Sequence, residues 1–123
     1  MKISLDTGTA TYRILSYARG RIAVNEQALT RSLVVMPETL LSDWPPQSFA
    51  ALATDHFAMI AALHPEIVLL GTGAVQCFPS PALLAPLYAA GIGVEVMDTG
   101  AACRTYDILM AEGRAVAAAL LMM

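Results

Sequence analysis

Charged side chains are scarce in this chain: they make up 14% of its 123 residues, against about 25% in an ordinary soluble domain. Two explanations stand side by side. Either part of the surface is covered by a partner or a second copy, or alanine, indifferent to exposure, fills the gap. Lysine is nearly missing, with Lys2 alone, and the other basic residues, Arg13, Arg19, Arg21, Arg31, Arg104 and Arg114, are scattered. A nucleic-acid binder gathers such side chains on one face to neutralise phosphates. With that cluster missing and a net charge of -3, nucleic acid is not an expected partner.

Cysteine is limited to Cys77 and Cys103, and histidine to His56 and His64. Both histidines fall on one helical segment and precede neither cysteine closely, which is no spacing for a zinc site. No metal and no cofactor are expected. Long apolar runs are lacking too. The longest, Ala115 to Met123, is nine residues, about half of the ~20 that cross a bilayer. The opening MKISLDTGTATYRIL has no signal-peptide core, since Asp6 interrupts it, and it is not the Arg-rich, acid-poor stretch of a mitochondrial presequence. The expectation is a cytoplasmic chain with no membrane insertion, whose cysteines stay as thiols in a reducing compartment.

What is abundant is apolar residue, 57% of the chain. That suffices for one core and is too little for two, so a single domain spanning residues 1–123 is expected. TYRILSYARGRIAV places two alternating runs around Arg19-Gly20, where glycine supplies the positive φ of a tight turn. A third run, Arg31 to Pro37 (RSLVVMP), is rich in β-branched residues, and Asn25-Glu26-Gln27 turns the chain before it. Together they predict an N-terminal antiparallel β-meander. LSDWPPQ is a loop, because Pro45-Pro46 fits neither a helix interior nor a central strand. Trp44 within it packs as a lid on the core, with ligand stacking as the alternative.

From Ser48, a candidate N-cap, the period becomes helical: Phe49, Leu52, Ala53, Phe57, Ile60 and Leu63 form one apolar face that ends at Pro65. EIVLLG then suits a strand buried on both faces. Ser80-Pro81 reads as a second helix start, with Pro86 inside as a kink or the end of a first turn, and Gly91 closes it. Ile92 to Met97 is the next strand. A third helix follows over ACRTYDILMAEG, and RAVAAALLM returns as a strand. Strand–helix–strand units favour parallel pairing with right-handed crossovers, although the last strand, linked by Gly113 alone, has the option of folding back antiparallel. The fold class is α/β: a three-layer domain with a mixed, mostly parallel central sheet flanked by helices, and the meander attached.

The carboxyl ends of neighbouring parallel strands share a crevice. Here it would gather Gly71, Thr72, Gly73, Gln76, Cys77, Asp98, Thr99, Cys103, Arg104, Thr105 and Tyr106, the one place where polar and reactive groups converge. LLGTGAVQCFPSPALL invites a phosphate-loop reading, but a dinucleotide fingerprint needs glycine where Gln76 stands, and the other phosphate loop needs a lysine. Gly71 and Gly73 are better explained by backbone geometry and close approach of the adjoining loop. Helix N-termini near Ser80 and Ala101, reinforced by Arg104, leave a small-anion site open, against pairing of Arg104 with Asp98 or Asp107. Cys103 beside Arg104 suggests a lowered thiol pKa, but no histidine is placed to serve as its base, and a buried thiol acting as a small hydrophobe is the alternative.

Several ordered features resemble a known family: the strand end Leu70-Gly71-Thr72-Gly73, Gly91-Ile92-Gly93, Met97-Asp98-Thr99, and Ala102-Cys103-Arg104-Thr105-Tyr106 leading to Glu112-Gly113-Arg114. They are similar to the small Mth-type domain of unknown function, whose members include bacterial and archaeal proteins, a mitochondrial complex I assembly factor and an adipogenesis-associated protein. The resemblance implies a three-layer α/β domain without established enzymatic activity, acting by protein contact. The expected function is therefore a non-catalytic protein-binding module, an assembly or maturation factor whose partner is another protein or a second copy. The alternative is a small-molecule or anion binder, or a minor enzyme, at Asp98, Cys103 and Arg104.

Overall fold

The computed structural model describes residues 11–123, and the segment around Asp6, read above for an export signal, lies outside the described residues. β1 (Ile14–Ala18), β2 (Arg21–Val24) and β3 (Gln27–Leu29) form an antiparallel sheet. β4 (Leu33–Met36), β5 (Thr39–Leu41), β6 (Ile67–Gly71), β7 (Gly93–Met97) and β8 (Val116–Leu120) form a second sheet in the order β5-β4-β8-β6-β7. The helices are α1 (Thr54–Ala61), α2 (Ala85–Ala89) and α3 (Thr99–Ala111). β6 runs parallel to both β7 and β8, with Leu69 beside Glu95 on one side and Ala118 on the other. β4 lies antiparallel to β8, Val34 opposite Ala119.

Alternation along the strands divides the core into two halves, one on each face of the central sheet, because successive side chains leave a strand on opposite faces. Leu33, Val35, Leu69, Val116, Ala118 and Leu120 meet Ala102, Cys103 and Tyr106 of α3, together with Ile14, Ile22 and Val24 of the meander. Val34, Val68, Leu70, Ala117 and Ala119 face the other way, onto Phe57 and Ile60 of α1, Leu87 of α2 and Trp44. The second-sheet strands β4, β6 and β8 are thus apolar on both faces, the pattern of a sheet covered on both sides. Trp44 is the lid expected of it: fully buried, its indole N–H donates to the His56 carbonyl at 3.3 Å and its ring meets Phe57 edge-on at 5.9 Å.

Several boundaries differ from the sequence reading. The run Arg31 to Pro37 does not complete the meander. It forms β4 of the central sheet, and the third meander strand is Gln27–Leu29. Leu33, Val34 and Val35 are all buried, which a one-sided meander strand would not allow. β5, after the turn at Pro37, was not foreseen. The helix expected from Ser48 is broken: Phe49–Ala51 makes one 3-10 turn, Leu52 and Ala53 are extended, and α1 starts at Thr54. Ser48 makes no capping bond; instead His56 Nδ1 accepts from the Ala53 N–H at 2.9 Å. Ser80 likewise makes no side-chain cap, the Pro81–Leu84 segment is a 3-10 turn, and Pro86 sits in the first turn of α2. α3 starts at Thr99, not near Ala101, because Asp98 accepts from the Ala101 N–H at 2.8 Å. Of the two directions left open for β8, it does not fold back antiparallel to β6. It crosses over to lie parallel to β6 at the centre of the sheet.

Candidate functional site

The ends of β6, β7 and β8 meet where the loops after β6 and β7 were expected to share a crevice, and one hydroxyl laces them. Thr99, fully buried at the start of α3, accepts at Oγ1 from the Gly73 N–H at 2.8 Å and donates to the Leu121 carbonyl at 2.7 Å. Its own N–H donates to the Gly73 carbonyl at 2.8 Å. The hydroxyl of Thr72 donates to the Val75 carbonyl at 2.7 Å and accepts from the Cys77 N–H at 3.0 Å, which folds the loop after β6 onto itself. A β-carbon added at Gly71 would lie 2.9 Å from Thr99 Oγ1, and Gly73 holds φ at +98°. The two glycines therefore answer to close approach and to backbone conformation. The amides that a phosphate would need at Gly73, Cys77 and Ala101 already donate within the chain.

The remaining candidates turn away from this junction. Cys103 and Tyr106 point into the core between α3 and the meander. Burial, with the nearby Asp107 carboxylate adding to it, pushes the Cys103 thiol up to about 12 despite the opposing pull of Arg104. That overturns the lowered pKa considered for it. The Tyr106 hydroxyl donates to the Tyr12 carbonyl at 2.7 Å, and Asp107 Oδ1 accepts from the Ile14 N–H at 3.1 Å. Arg104 is exposed and pairs with neither Asp98 nor Asp107 through a salt bridge. It donates to the Tyr17 hydroxyl and lies 5.9 Å from that ring's centroid. The Cys103-to-Asp107 stretch is thus the seam that fastens α3 to β1, with the half-buried Thr105 beside it.

Gln76 leaves the junction in another direction. Its side-chain amide donates to the Val96 carbonyl at 2.9 Å, on the outer side of β7. There a groove of about 620 Å³ is lined by Phe78, Pro79, Leu84, Tyr88 and the β7 residues Val94 to Val96. Phe78 is 71% exposed and Tyr88 54%. Among the described residues Glu95 is the one charged residue in this lining. A smaller concavity, about 340 Å³, lies at the opposite end of the sheet between Pro37, Glu38, Arg114 and Ala115. There Arg114 pairs with Glu66 at 2.9 Å across the starts of β6 and β8, and the guanidinium holds the Glu66 carboxyl below its ordinary range.

A family model described as a protein of unknown function (DUF498/DUF598) matches residues 14–121. The chain belongs to this family. Its relatives include the 13 kDa major membrane protein of Francisella tularensis, 30% identical over 81% of this chain and 82% of the relative. NADH dehydrogenase [ubiquinone] 1 alpha subcomplex assembly factor 3 of Bos taurus is 32% identical over 86% of this chain, and the match spans 58% of that relative's length. A solution structure from Bordetella pertussis, described as a Mth938-like domain, superposes with a TM-score of 0.82 at 36% identity, over 99% of this chain and 92% of that one. The resemblance carried by the Leu70-Gly71-Thr72-Gly73 and Cys103-to-Tyr106 motifs is borne out.

Within this DUF498/DUF598 chain the groove beside β7 escaped the sequence reading. Phe78 stood between Cys77 and Pro79, outside any periodic segment, and Tyr88 lay on a helix for which no face was assigned. The available signal was an aromatic residue in a proline-flanked loop with no core position to fill.

Proposed function

We propose that this chain is a protein-binding module of the assembly- or maturation-factor kind, acting as one folded domain by contact and without chemistry of its own. One observation carries the reading. The polar groups that the fold brings to the strand ends are spent on internal bonds, while the large apolar side chains Val75, Phe78 and Tyr88 face solvent. The assembly-factor name of the Bos taurus relative supports it. A small-anion or enzymatic role at Asp98, Cys103 and Arg104 loses its support on the same grounds. Asp98 caps its own helix, Cys103 is buried and protonated, and Arg104 rests on Tyr17.

The test is affinity capture of the tagged full chain from its own cells. A partner retained in roughly equimolar amount is expected, and nothing retained above an unrelated control contradicts the reading. Thermal unfolding with sulfate, phosphate, nucleotides and common metabolites should be unchanged; stabilisation lost in Arg104→Ala would restore the ligand-binding alternative. Among the described residues no helix is long and apolar enough to cross a membrane. A cytoplasmic location is part of the proposal, and recovery of the chain with salt-washed membranes would overturn that part.

A further inference from the structure

Resting on the protein-binding reading, we propose that the free edge of β7 accepts an extended segment of a partner protein as a sixth strand of the central sheet, with the side-chain pattern apolar–basic–apolar. Among the described residues β7 ends the sheet, paired on one side only, with β6. The Gly93 N–H donates to the Glu66 carbonyl and the Met97 carbonyl accepts from the Thr72 N–H. Gly93, Glu95 and Met97 therefore turn their backbone groups toward β6, and by alternation Val94 and Val96 turn theirs outward. The Val96 carbonyl fits this, since it accepts from the Gln76 side chain on the outer side. An exposed row of backbone donors and acceptors of this kind is a template for strand addition.

The two faces of that edge specify what the entering strand carries. Val94 and Val96 pack toward the α1–α2 layer, the side on which the groove offers Phe78, Leu84 and Tyr88. Glu95 shares the opposite face with Met97, which packs toward α3. A residue paired with Glu95 projects on Glu95's face and is selected to be Lys or Arg, because opposite charges across a strand pair stabilise and like charges do not. Its two neighbours project into the groove between Phe78 and Tyr88, which selects apolar side chains. A second copy of this chain is the poorer occupant. Two β7 edges paired antiparallel about their midpoint would set Glu95 against Glu95. The entering strand replaces the Gln76 amide at the Val96 carbonyl.

The test pans phage-displayed random heptapeptides against the folded full chain and measures fluorescein-labelled winners by anisotropy. Enrichment of apolar–Lys/Arg–apolar sequences is expected. Glu95→Lys should switch the selected central residue to an acid. Phe78→Ala should weaken the labelled winner about tenfold without moving the thermal midpoint. Amide exchange at Val94 and Val96 should slow when the peptide binds. No enriched peptide, an acidic centre selected by wild type, apolar positions recurring every three or four residues, or indifference to Glu95→Lys would each overturn the proposal. So would a homodimer in sedimentation that Phe78→Ala disperses, since the occupant would then be a second copy. If the captured partner of wild type is still held by both variants, this placement fails while the protein-binding reading stands; if wild type captures nothing, it is that reading that fails.

Discussion

Thr99 shows how a residue that reads as functional can be spent on structure. Its hydroxyl joins Gly73 and Leu121 inside the junction, so Thr99→Val leaves two buried backbone groups unsatisfied at a cost of roughly 2–4 kcal/mol. Urea unfolding would show this as a lower midpoint at unchanged slope, with Thr99→Ser losing less than half as much. Cys103 makes a second prediction at this scale. Burial holds its thiol protonated up to about pH 12 in the fold, whereas the unfolded chain releases the proton near its ordinary 9.0. Stability is therefore full below pH 9 and falls between pH 9 and 12, by about 1.4 kcal/mol at pH 10. Denaturation at pH 8 and pH 10 checks this, and the drop should shrink in Cys103→Ala. Cys77, half-exposed, should react with iodoacetamide in the folded protein while Cys103 does not. The meeting of the loops after β6 and β7 was legible from strand order, since loops after adjacent parallel strands must meet. Whether a hydroxyl there faces a ligand or its own backbone is set by separations of a few tenths of an ångström, which spacing along the chain does not encode.

Elements with strong two-sided patterns were the easiest to read. β6, β7 and β8 follow from short, largely apolar runs, and the parallel pairing of β6 with β7 from the helix between them, while β8 was left free to run either way. β4 was assigned to the meander because nearness in sequence was weighed above its apolar character on both faces. The helix after Ser48 was read as continuous because a 3-10 turn and a following helix can share one apolar stripe; only the extended Leu52 and Ala53 separate them. At this scale the edge position of β7 makes its own prediction. Native-state hydrogen exchange should find the Glu95 and Met97 amides protected by β6 and the Val94 amide exchanging at least tenfold faster, an open edge against a closed ladder. Equal protection along β7 would mean that the edge is covered.

Over the whole molecule the two large aromatic residues of the long loops separate by role. Trp44 is sealed in the core with its N–H bonded, so Trp44→Ala should cost about 3–5 kcal/mol. Phe78, mostly exposed, should change stability by less than about 0.5 kcal/mol on truncation to alanine. Calorimetry of both variants measures the contrast, and a large loss for Phe78→Ala would make it a core residue instead of a contact. On the proposed function the molecule works through the surface beside β7 and not through its strand-end junction. Hydrogen exchange of the full chain, with and without the partner recovered by affinity capture, tests that most directly. Slowing confined to residues 75–88 and to Val94 and Val96 is the predicted result. Slowing at Thr72 and along Thr99 to Thr105, with the β7 edge unchanged, would contradict it.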